Sequence, residues 1–119
     1  MFTCFIRYQI DPDKLEDFRE YAHSWISLIR KYGGIHHGYF LPGKEGVDLP
    51  DATFSFPGLG AKGPPNIAVA LFSFPSIEAY EKYRQDVSKD EACKVATNLL
   101  NGTKCFSSYE RTFLAPMFE

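Results

Sequence analysis

The chain has 119 residues, a mass of 13.5 kDa, a formal net charge of −2 and a pI near 5.9. That is the size of one domain, and the slightly acidic balance argues against nucleic acid as a partner, which needs a basic field. With 45% hydrophobic and 24% charged residues the chain is globular, but 16% aromatic residues is more than one thin core needs, so rings must also cover a surface or line a cavity.

Residues 2–10 alternate: Phe2, Cys4, Ile6, Tyr8 and Ile10 fall on one side and Thr3, Phe5, Arg7 and Gln9 on the other. Period two predicts a strand with one strongly apolar face. Asp11-Pro12 then opens a helix, with Asp as N-cap and Pro at the first helical position. Leu15, Phe18, Ala22, Trp25, Ile29 and Tyr32 follow at spacings of three and four, a buried helical stripe. Arg30 and Lys31 suit the helix C-terminus, and Gly33-Gly34 ends it. Residues 35–41 read as a second strand, in which alternation puts Ile35, His37, Tyr39 and Leu41 on the helix-facing side.

Residues 43–65 hold five of the nine glycines and four of the eight prolines, a Gly/Pro-rich insertion. A connection this long is usually functional or mobile. Phe54 and Phe56 suggest that it packs on something, either as a hairpin covering a sheet edge or partner subunit, or as a substrate lid.

Residues 66–74 are apolar almost throughout, as in a strand buried on both faces. A helix follows Ser76, with Ile77, Tyr80, Tyr83, Arg84 and Val87 along one side. Ser88-Lys89-Asp90-Glu91 has the form of a capping box with Ser88 as N-cap, so the helix breaks and restarts there. Ala92, Val95, Ala96, Leu99 and Leu100 continue its apolar face until Asn101-Gly102. Residues 104–114 form the last strand.

The helix starts repeat: Leu15-Glu16 with Phe18 and Tyr21, and Ile77-Glu78 with Tyr80 and Tyr83. The two halves make an α+β, ferredoxin-like split βαβ arrangement of order β-α-β-β-α-β, over residues 1–119 as a single domain. Its four-stranded antiparallel sheet carries the helices on one face. The other face is left apolar, which predicts a homodimer through the open sheet face, a dimeric α+β barrel.

The three cysteines, Cys4, Cys93 and Cys105, have no CxxC spacing, so neither a disulfide scaffold nor a zinc site is expected. Reduced thiols, no signal-peptide pattern and no apolar run approaching about 18 residues predict a cytoplasmic protein without a membrane span. No nucleotide, zinc-protease or calcium motif occurs, and no cofactor is expected. Asn101-Gly102-Thr103 matches a glycosylation pattern, but reads better as a helix stop.

The chain resembles the NIPSNAP family, within the dimeric α+β barrel superfamily, over essentially its whole length. Phe5-Ile6-Arg7-Tyr8, Gly38-Tyr39-Phe40, Ser88-Lys89-Asp90-Glu91 and Tyr109-Glu110-Arg111 carry the resemblance. It implies a small homodimeric protein whose biochemistry is undefined. The superfamily also contains cofactor-independent, antibiotic-biosynthesis-type monooxygenases and haem-degrading enzymes. Haem degradation needs an axial histidine on a helix, and only His23 is predicted on one.

His37 and Tyr39, on one side of the second strand, are the candidate catalytic pair, able to bind a ring or act as acid–base groups. The structural reading of each is a hydrogen-bonded strand residue, the commoner role of a histidine in a strand. Arg7, Trp25, His36 and Arg111 are candidate substrate-binding residues. An arginine inside the barrel needs an anion, either a carboxylate substrate or a partner side chain. Trp25 fits a core stripe or the wall of a closed pocket shared with His37 and Tyr39. Two functions stay open: a small-molecule-binding or interaction module, whose ligand would be small and hydrophobic or aromatic, and a monooxygenase-like enzyme acting on such a compound.

Overall fold

In the computed structural model, residues 1–43 and 63–118 are described. Apolar alternation makes Phe2–Ile10 a strand (β1) whose Cys4, Ile6, Tyr8 and Ile10 are all buried on one face. Asp11 accepts from the Asp13 N–H and starts a 3-10 turn over Pro12–Lys14, from which a long helix, Leu15–Lys31 (α1), continues. Phe18, Ala22, Leu28 and Ile29 are its buried residues, with Leu15, Trp25 and Tyr32 packed at the margin. Gly34 is needed for close approach: a Cβ there would lie 2.6 Å from Ile29 and 2.8 Å from Phe74.

The second strand, Ile35–Phe40 (β2), pairs antiparallel with Ile67–Phe74 (β3), which pairs with β1, which pairs with Phe106–Leu114 (β4). The sheet order is β2-β3-β1-β4, with β3 and β1 central. The segment most apolar in sequence thus occupies the centre. The insertion lies almost wholly outside the described residues, and with it the hairpin and lid readings.

Three helices, rather than two, cover one face of the sheet. Ile77–Val87 (α2) is capped by Ser76, whose Oγ accepts from the Ala79 N–H at 3.1 Å. Glu91–Thr103 (α3) is capped by Asp90, not Ser88: Ser88 keeps helical angles and its hydroxyl turns back to the Gln85 carbonyl. Asp90 is the better anchor because it also accepts from Lys31 Nζ (2.6 Å) and the Tyr32 hydroxyl (2.7 Å), tying α1 to α3. Asn101-Gly102 does not stop α3. The helix runs to Thr103, and Lys104 ends it in the left-handed conformation, donating its N–H to the Leu100 carbonyl. Three residues assigned to apolar stripes, Ile77, Ala92 and Val95, are exposed.

The core lies between sheet and helices. Tyr8, Phe18 and Phe106 form one set of rings there and Phe72, Phe74, Tyr80 and Tyr83 another, and Tyr39 and His36 join the two. No helix among the described residues is long and apolar enough to cross a membrane.

Candidate functional site

Regular alternation fails in β2. His36 pairs with Phe72 and Gly38 with Leu71, so His37 is an extra residue, a β-bulge. Gly38 adopts φ +112, a conformation that L side chains rarely take. The inserted residue reverses the parity of the strand. The expected placement of His37 beside Tyr39 is therefore overturned: His36 faces the helices with Tyr39, and His37 faces the open side.

His36 is buried, and its ring stacks on Tyr39 at 5.0 Å and 18°. The Gly38 N–H donates to His36 Nδ1 at 2.9 Å, which places the ring proton of the neutral form on Nε2. Burial first, then the charges of Arg30 and His37, lower its pKa to about 4, so the ring is neutral at pH 7. His37 Nε2 hydrogen-bonds Ser73 Oγ at 2.8 Å, and Ser73 Oγ meets Thr3 Oγ1 at 2.6 Å. This chain of polar groups lies on the sheet face away from the helices.

A cavity of about 190 Å³ opens between that sheet and the helices. β1 contributes Ile6 and Tyr8, α1 Tyr21, Trp25 and Ile29, α2 Tyr83 and Arg84, and β4 Phe106, Tyr109 and Arg111. Periodicity puts them together: Tyr21, Trp25 and Ile29 recur at four-residue steps, and Tyr109 and Arg111 are alternate residues of a strand. Trp25 Nε1 and Arg111 Nε are buried without a hydrogen-bond partner among the described residues. Arg111 is also held over the Tyr109 ring, 5.6 Å from its centroid. Burial pushes the Tyr21 hydroxyl up to about 12, and burial likewise raises Tyr8 and Tyr83. These three phenols are protonated at neutral pH. Neither a carboxylate nor a histidine borders the cavity among the described residues.

Of the candidate residues, Trp25 and Arg111 border the cavity. Tyr39 and His36 stand behind Tyr8 and Phe72, outside the lining. Arg7 is exposed on the open face, where its strand partner is Glu110. Tyr21, Arg84, Phe106 and Tyr109 were not singled out. Tyr21 had a signal, the second aromatic of the repeated helix start, and Arg84 had one in its place beside Tyr80 and Tyr83 along one side of α2. Cys4 on β1 and Cys105 just before β4 are buried, and burial raises the Cys4 thiol to about 11, inert at neutral pH.

The sheet order and the helices on one face define a ferredoxin-like α+β domain of the kind found in antibiotic-biosynthesis-monooxygenase-type proteins. The family model described as NIPSNAP matches residues 3–118, and the chain belongs to the NIPSNAP family. A NIPSNAP family protein of unknown function from Agrobacterium tumefaciens shares the fold at TM-score 0.69 and 15% identity, covering 98% of this chain and 87% of that one. An uncharacterized NIPSNAP domain protein from Burkholderia xenovorans does so at TM-score 0.66 and 16% identity, covering 99% and 96%. An antibiotic biosynthesis monooxygenase-type protein from Nitrosomonas europaea follows at TM-score 0.64 and 9% identity, covering 99% and 100%. No curated protein matches the sequence.

Proposed function

We propose that this NIPSNAP protein is a small-molecule-binding module whose site is the cavity between sheet and helices. The observation that carries this reading is the pair of buried, unpartnered donors, Trp25 Nε1 and Arg111 Nε, at one cavity. Buried polar groups are normally satisfied, and one left open in a cavity is a place for a ligand atom. A thermal-shift panel of one-ring compounds tests it. At least one class should raise the Tm, and Leu100→Phe, which fills the cavity from α3, should abolish the rise. A panel with no effect would overturn the reading.

The second reading, a cofactor-independent monooxygenase acting on an aromatic or hydrophobic substrate, is favoured by the fold shared with the Nitrosomonas protein and by the aromatic lining. Against it, proton abstraction needs a base near neutral pKa. The described lining offers phenols, three of them with raised pKa, and arginines.

We also propose that two copies join through the open sheet face. Phe5, Ile67, Val69 and Leu71 are half-buried there, and Ile35, Phe40 and Leu114 are 51%, 55% and 48% exposed. An apolar patch of this kind, rimmed by polar residues, favours self-association. A cytoplasmic location is in keeping with three unpaired cysteines.

A further inference from the structure

The polar lining of the cavity is one-sided. Its charged groups are two guanidiniums, Arg84 at the exposed edge and Arg111, beside one indole N–H and the neutral hydroxyls of four tyrosines, with no Asp or Glu among the described lining residues. Arg111 makes no salt bridge with any described residue, although its side chain carries a buried, unpartnered Nε. Its neighbour in sequence, Glu110, is turned to the opposite face of β4, opposite Arg7. The groups beside Arg111 are neutral: the Tyr109 ring offers the weaker attraction of a π face, and Tyr80 a phenol whose pKa burial raises. Arg111 is half-buried, and a guanidinium partly withdrawn from water without a counter-charge is costly, so the fold leaves a place for one negative charge.

We infer that the ligand of this cavity is a compact carboxylic acid, bound as its anion, with a single flat apolar ring. The inference rests on the binding function proposed above and specifies its ligand. Arginine is the side chain best matched to a carboxylate, through parallel N–H donors, and the Trp25 N–H supplies a further donor. The rest of the wall is ring and aliphatic surface, with the apolar Ile6, Ile29, Phe72, Leu100 and Phe106 beside four neutral tyrosines. The volume, about 190 Å³, compares with the roughly 150 Å³ of a dry cavity that takes up benzene. One ring and a short acidic substituent fill it, and a fused polycyclic body does not.

The test is calorimetric titration of the whole protein with benzoate and phenylacetate, against benzamide and phenylacetamide, which keep the shape and lose the charge. The acids should bind at least about tenfold more tightly than the amides, a difference of about 1.4 kcal/mol. Arg111→Met should erase that difference, and Arg111→Lys, which keeps the charge but not the fork, should reduce it. Should Arg111→Met not fold, the wild-type comparison and Arg111→Lys decide. Equal affinity for acids and amides, or acid preference that survives in Arg111→Met, would overturn the anion inference while leaving the cavity a binding site. No binding of any ring, charged or neutral, would overturn both.

Discussion

The imidazole of His36 stacks on the phenol of Tyr39, 5.0 Å between centroids and 18° between planes. Residues three apart in a regular strand lie on opposite faces. The bulge at His37 and the positive φ of Gly38 put both rings on the helix side, and they send His37 to the other face. One backbone irregularity thus separates the two histidines and packs the aromatic wall behind the cavity.

Gly38→Ala tests that irregularity. A Cβ there meets nothing within 4 Å, so any cost comes from backbone conformation alone. A destabilisation of about 1–2 kcal/mol is expected in chemical denaturation. A variant as stable as the wild type would show that β2 does not need the bulge.

His36 should make stability fall as the pH drops below neutral. Its folded pKa of about 4 lies below the ordinary value of 6.5, so the unfolded chain binds the extra proton between those values. The stabilisation is complete above about pH 6.5 and is lost as the pH falls towards 4. Allowing for partial solvent screening, roughly 1 kcal/mol should disappear between pH 7 and pH 5. His36→Phe should flatten that slope. An unchanged slope would assign the acid sensitivity elsewhere.

Asp90 joins α1 to α3 through Lys31, Tyr32 and the Ala92 N–H, and the hydrogen bonds from Lys31, Tyr32 and Ala92 hold its carboxyl down at about 2. Asp90→Ala should lower the Tm more than Asp90→Asn, because Asn still caps a helix. The wild-type contribution is present above the ordinary carboxylate pKa and fades as the pH falls towards 2. Equal Tm values for all three proteins would remove Asp90 from the account.

Leu71→Glu places a charge in the middle of the open sheet face. Light scattering at micromolar concentration should give the wild type twice the 13.5 kDa chain mass and the variant the single mass. A monomeric wild type would contradict the sheet-to-sheet pairing.

Most of the fold is legible in the sequence because its signals are periodic. The alternation of residues 2–10, the stripe from Leu15 to Tyr32 and the apolar run into Phe74 each specify an element and its inward side. What periodicity cannot show is a break in itself. Nothing in the spacing of His36, His37 and Gly38 marks the added residue, so the His37–Tyr39 pairing follows from regular alternation and fails with it. The choice of Asp90 over Ser88 as cap is settled by Lys31 and Tyr32, roughly sixty positions away in sequence and invisible to local pattern. The cavity is legible only in part: Trp25 and Arg111 stand out as residue types, but their convergence depends on how β4 and α1 pack.

Trp25 is the only tryptophan, so a ¹⁵N-labelled sample gives a single indole N–H resonance, from the atom that the structure leaves unpartnered in the cavity wall. If the cavity is the binding site, that resonance should move downfield and saturate as phenylacetate is added, because the N–H gains an acceptor. An indole resonance that stays fixed while the acid binds, or across a panel of one-ring acids and amides, would contradict it.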